Sequence, residues 1–141
     1  MRAMNLRWSQ LDRSHDLGLL ILRVGVGLMF LCLHGWDKLA GGVDRWTGVG
    51  RAVSYLGIKF GYTLWGFLAA MSEVVGGVCL ILGFLHRPAA LALAITMFVA
   101  TIWKYYPFGG WDSAAHPAAM LCVCLALLFT GPGKYSLDAR A

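Results

Sequence analysis

The side chains able to do chemistry are few and stand in apolar surroundings. Arg23 and Glu73 lie inside long hydrophobic runs, His34 and Lys38 close the first run in the stretch FLCLHGWDKL, and Trp103, Lys104, Trp111 and His116 flank the connection between the last two runs. A charge near the centre of a bilayer costs at least ~2.5–3.5 kcal/mol on insertion scales, so Arg23 and Glu73 are expected to face protein and find a partner. From Arg23 to His34 is eleven residues, close to three helical turns, and Lys38 follows one turn later, which predicts one stripe of Arg23, Gly27, His34 and Lys38. With antiparallel helices, His34, Lys104 and His116 come to one depth beside Trp103, Trp111 and Asp112.

Three kinds of chemistry fit this pattern. In the first, these groups hold a quinone-like redox ligand, whose two carbonyls need hydrogen-bond donors and a proton source between apolar walls. Glu73 and His34 are then the catalytic candidates, and Arg23, Lys38, Trp103, Lys104, Trp111 and His116 the ligand-binding ones. In the second the groups are structural. Arg23 and Glu73 differ in depth by only ~7 Å, within reach of a guanidinium–carboxylate clasp, and His34, Lys38 and Lys104 are snorkelling anchors. The protein is then a scaffold or assembly partner. In the third, His116, Met120 and Cys124 share one helix face as soft ligands, and His34, His116 and Met120 hold copper. The four cysteines show no CxxC or zinc-type spacing and are read as small buried hydrophobes. His86 beside Arg87 reads as a surface turn residue. No recognisable motif binds flavin, haem or an iron–sulfur cluster.

The elements that position these residues are legible in the hydropathy. Of 141 residues, 59% are hydrophobic and 13% charged, about half the charged share of a soluble domain. Four apolar blocks, at about 17–39, 62–84, 88–106 and 114–131, are each near the ~20 residues that cross hydrocarbon. They predict an all-α integral membrane protein, one antiparallel four-helix bundle over 1–141. The turn LHRP joins the second and third spans as a hairpin with Pro88 at a helix start, and YYPFGGWDS is an aromatic, glycine-rich loop. Between spans one and two, Val43, Trp46, Val49, Val53 and Leu56 recur at helical spacing and predict an amphipathic interfacial segment.

Gly66, Ala69, Ala70, Gly76 and Gly77 make one side of the second span small, fit for close packing within the bundle or for a homo-oligomer. The net charge of +5 is scattered, which argues for contact with anionic lipid and against nucleic acid. The polar start, with Arg2, Arg7 and Arg13, carries no secretory signal, so the first span is expected to act as its own insertion signal. Basic residues lean weakly toward cytoplasmic termini, and the tryptophans and tyrosines gather at the opposite face.

The first span, LGLLILRVGVGLMFLCLHGWDKL, and the second, GFLAAMSEVVGGVCLILGFLHRPAAL, resemble the DoxX family of small four-helix membrane proteins over roughly 17–135. The matching positions are Arg23, His34, Gly35, Lys38 and Glu73. The resemblance implies a bundle in the bacterial cytoplasmic membrane and work beside a partner oxidoreductase, with links to quinone handling, thiol oxidation, redox stress and copper-binding peptides. It implies no role for the cysteines.

Overall fold

The computed structural model describes residues 14–141; the polar start with Arg2, Arg7 and Arg13 lies outside the described residues. Among the described residues every regular element is helical. Four spans are long and apolar enough to cross a membrane: His15–Ala40, Tyr62–Leu82, His86–Tyr105 and Trp111–Thr130. Between 22% and 33% of the apolar 18-residue stretch within each span is buried in the bundle. The rest of each helix turns leucine, isoleucine, valine and phenylalanine outward, as lipid contact requires. The termini-bearing face holds Asp16 and Lys134; the opposite side is called the far face.

The first span is not one regular helix. It runs as α1 (His15–Leu28), a π-helical stretch (Met29–Gly35) and α2 (Trp36–Ala40). A π-turn holds an extra residue and rotates everything that follows it, and such turns are frequent at functional sites. The expected stripe assumed 3.6 residues per turn throughout, so it splits here: Lys38 turns toward span two, while Arg23 is used at the other end. The wide turn sits where span one crosses span two, α4 (Tyr62–Leu82), at backbone contact. A Cβ on Gly27 would stand 2.7 Å from the Gly77 carbonyl oxygen, and one on Gly35 2.8 Å from the Val74 nitrogen.

The predicted amphipathic segment forms α3 (Gly42–Gly50) followed by a 3-10 helix (Arg51–Leu56). Val43 and Leu56 are exposed, and glycines make the approach: a Cβ on Gly66 would collide with the Trp46 carbonyl, and one on Gly50 with that of Tyr62. Trp46 packs edge-on against Phe67, and the Thr47 and Thr63 hydroxyls are 2.7 Å apart. The small residues of α4 lie on its buried side, as expected, but they serve different neighbours. Gly66 meets α3, Gly77 meets span one, and Gly76 meets Leu93 of α5 (His86–Tyr105).

Span four, α6 (Trp111–Thr130), packs along α5, and Trp111, Asp112 and Ser113 belong to this helix, not to the loop. Phe30, Leu80, Leu93, Cys124 and Leu127 fill the centre.

The hairpin between α4 and α5 is closed from a distance. Gly83 in the left-handed region ends α4, with the Phe84 N–H donating to the Cys79 carbonyl. Leu85 also has positive φ, 45°, a strained conformation for a branched side chain. Asp138, more than fifty residues away, holds it there: its carboxylate accepts from the Leu85 N–H at 3.0 Å and the His86 N–H at 2.9 Å, capping α5. Asp138→Ala removes this cap and is expected to destabilise the protein by about 1–2 kcal/mol. Thermal unfolding in detergent checks this, and an unchanged midpoint would show that the cap is idle.

Candidate functional site

The central feature is an ion pair inside the bundle. Lys38 Nζ donates to Glu73 Oε1 at 2.6 Å; the Glu73 side chain is fully buried and that of Lys38 is 20% exposed. Glu73 sits at the midpoint of α4, and the glycine crossing of spans one and two brings the two backbones close enough for lysine to reach it. The anticipated Arg23–Glu73 clasp does not form, because Lys38 occupies that carboxylate. The lysine is positioned from behind, since the Trp46 indole N–H donates to the Lys38 carbonyl at 2.9 Å, tying α2 to α3. Glu73 Oε2 is buried and has no hydrogen-bond partner among the described residues. Buried carboxylate oxygens are normally satisfied, so this one is suited to a ligand, a proton or water. Beside it, Ser72 and Thr96 join α4 to α5 through their hydroxyls at 3.1 Å.

His34 lies in the π-helical stretch, within electrostatic reach of both Lys38 and His116. Its Nε2 stands 3.4 Å from Nε2 of His116 on α6, with ring centroids 5.4 Å apart. The expected meeting of two spans at one depth thus occurs for the histidines. Lys104 instead extends over the Phe108 ring, 5.2 Å from its centroid, and is exposed. Trp103 packs against Tyr55 and Phe108, and Trp111 against Tyr105. These three candidates build an aromatic rim at the far face. Tyr55 of the 3-10 helix, absent from the sequence-level candidates, anchors that rim by stacking on Tyr106. Trp36 and Asp37 point outward, Asp37 pairing with Arg45 at 2.8 Å.

Arg23 belongs to a different place. It is fully buried, and its Nη2 donates to the Tyr135 carbonyl at 2.6 Å, with Asp138 within electrostatic reach. The C-terminal residues fold beneath the bundle to meet it: the Leu137 and Asp138 N–H groups donate to the carbonyls of Leu82 and Gly83. His86 is no surface turn residue. It is fully buried, with Nε2 at 3.0 Å from the Leu127 carbonyl. All four cysteines are free, Cys124 in the core and Cys32 and Cys122 exposed. Among the described residues no three His, Cys, Asp or Glu side chains gather around one point.

The chain resembles known proteins over nearly its whole length. It is 30% identical to the Escherichia coli (strain K12) inner membrane protein YphA, over 96% of this chain and 98% of that one. It is 28% identical to the inner membrane protein YqjF of the same organism, over 91% and 95%. It is 25% identical to the Bacillus subtilis (strain 168) protein named "Putative oxidoreductase CatD", over 91% and 90%. No solved structure matches it significantly. The DoxX sequence profile matches residues 18–105, the part holding Arg23, His34, Lys38, Glu73 and the glycine crossing. With more than half its length in that match and a relative aligned nearly end to end, this four-helix membrane chain belongs to the DoxX family.

Proposed function

We propose that the protein is the membrane subunit of a redox system and binds a quinone-type ligand against the Lys38–Glu73 pair. The observation that carries this reading is the buried ion pair with one unsatisfied carboxylate oxygen, beside a lysine that is still 20% exposed. An ammonium and a carboxylate held together in a low-dielectric interior can donate to a carbonyl and relay a proton. Reducing a quinone ring to the quinol takes two electrons and two protons. The chain carries no recognisable flavin, haem or iron–sulfur motif, so the electrons come from a partner oxidoreductase, and the protons pass through Glu73 and Lys38. The name of CatD supports the redox assignment. The names of YphA and YqjF support placement in a bacterial inner membrane; the orientation proposed with it, termini in the cytoplasm, rests on the weak lean of the basic residues alone.

Mass spectrometry of the lipid extract of protein purified in mild detergent tests the proposal. The expected result is a quinone in near-stoichiometric amount, lost from Glu73→Gln while the helical content is kept. Extracts of the wild type and the variant with the same trace of quinone would favour the scaffold reading, in which the pair only locks two helices together.

A further inference from the structure

We infer that His34 and His116 form a metal site at the far-face mouth of the bundle, for the soft monovalent ion Cu(I), with the Met120 thioether as third donor. The two Nε2 atoms come from different spans and face each other at 3.4 Å. Hydrogen bonds from N–H centre near ~2.9–3.0 Å, so as a hydrogen bond this contact is long. As a pair of ligands it has the right bite. With metal–nitrogen bonds of ~2.0–2.1 Å, nitrogens 3.4 Å apart subtend roughly 110° at the ion, close to the tetrahedral angle.

The surroundings select the ion. Both donors are imidazoles, ligands that bring no negative charge, and no carboxylate or third histidine joins them in a metal-holding group among the described residues. The Lys38 ammonium lies within electrostatic reach of His34, and its charge is balanced by Glu73 at 2.6 Å. A divalent cation would place two charges there with no anionic ligand, whereas Cu(I) brings one and accepts imidazole and thioether donors. Met120 lies one helical turn beyond His116 on the same face of α6. Cys124, two turns beyond, is fully buried in the core and drops out of the ligand set. His116 is exposed and His34 half-buried, so the ion can enter from the far face. The site is separate from the Lys38–Glu73 reading, which uses neither Met120 nor the His116 ring.

The test is anaerobic titration of the full chain in detergent with Cu(I) against a chromogenic chelator, with X-ray absorption of the loaded wild type. The expected result is one Cu(I) per chain and a spectrum with two imidazole nitrogens and one sulfur. His34→Gln and His116→Gln should each weaken binding by more than the ~10–100-fold that loss of an outer-shell partner costs. Exposed His15→Ala should leave it unchanged. No stoichiometric Cu(I), a spectrum without imidazole, or an affinity unmoved by both glutamine variants would overturn the site. The wild-type spectrum decides the matter even if a variant fails to fold.

Discussion

Lys38→Met is expected to destabilise the bundle by about 3–5 kcal/mol, because it leaves the Glu73 carboxylate buried without its cation. Glu73 is fully enclosed, and the Lys38 ammonium at 2.6 Å is its one side-chain hydrogen-bond partner among the described residues. Glu73→Gln alone strands a lysine that is one-fifth exposed and can swing toward the far face, so its cost should be smaller. The double variant Lys38→Met/Glu73→Gln removes both charges and should recover most of the loss, since a buried ion pair often adds little over neutral groups of similar volume. Unfolding of the four proteins in mixed detergent micelles gives the coupling energy directly. If Lys38→Met alone stays within about 0.5 kcal/mol of wild type, where inconsequential surface changes fall, the pair is not what holds the charge in the membrane.

Gly66→Ala should be nearly as damaging, through shape alone. The added Cβ lands on the Trp46 carbonyl, a backbone atom of α3 that cannot swing aside. Overpacking of this kind costs about 1–3 kcal/mol, or else α3 lifts from α4. Undocking would also break the indole–carbonyl hydrogen bond to Lys38, so ligand binding should fall together with stability. Gly48→Ala is the matched control. It lies in α3, the helix that Gly66 packs against, its Cβ meets nothing within 4 Å, and the exchange should be neutral or stabilising by up to about 1 kcal/mol. Limited proteolysis of the segment between spans one and two distinguishes the outcomes, with faster cleavage expected for Gly66→Ala only. Equal cleavage rates would mean that the glycine contact does not hold α3.

Hydropathy placed all four spans within a few residues of their observed ends, because the length of a crossing helix is set by the bilayer rather than by packing detail. Depth arithmetic likewise brought His34 to His116. It failed for Glu73, whose partner depends on helix rotation as well as depth. The π-helical stretch turns Lys38 toward α4, and no periodicity in MFLCLHG announces that turn. The glycines near Glu73 signalled close packing correctly, but not that Gly66, Gly76 and Gly77 serve three different neighbours. His86 and Arg23 were misplaced for a common reason. Both are enclosed at the end where the C-terminal residues fold back, and a cap supplied by Asp138 from more than fifty residues away leaves no local signature.

The central claim is that the Lys38–Glu73 pair receives a quinone-type ligand, and equilibrium binding tests it most directly. A short-chain benzoquinone titrated into the purified protein should quench the fluorescence of the six tryptophans saturably in the wild type. Lys38→Met/Glu73→Gln, with its fold retained, should bind at least 10-fold more weakly, a loss of about 1.4 kcal/mol. Saturable binding of equal strength in both proteins, or none in the wild type, would contradict the assignment.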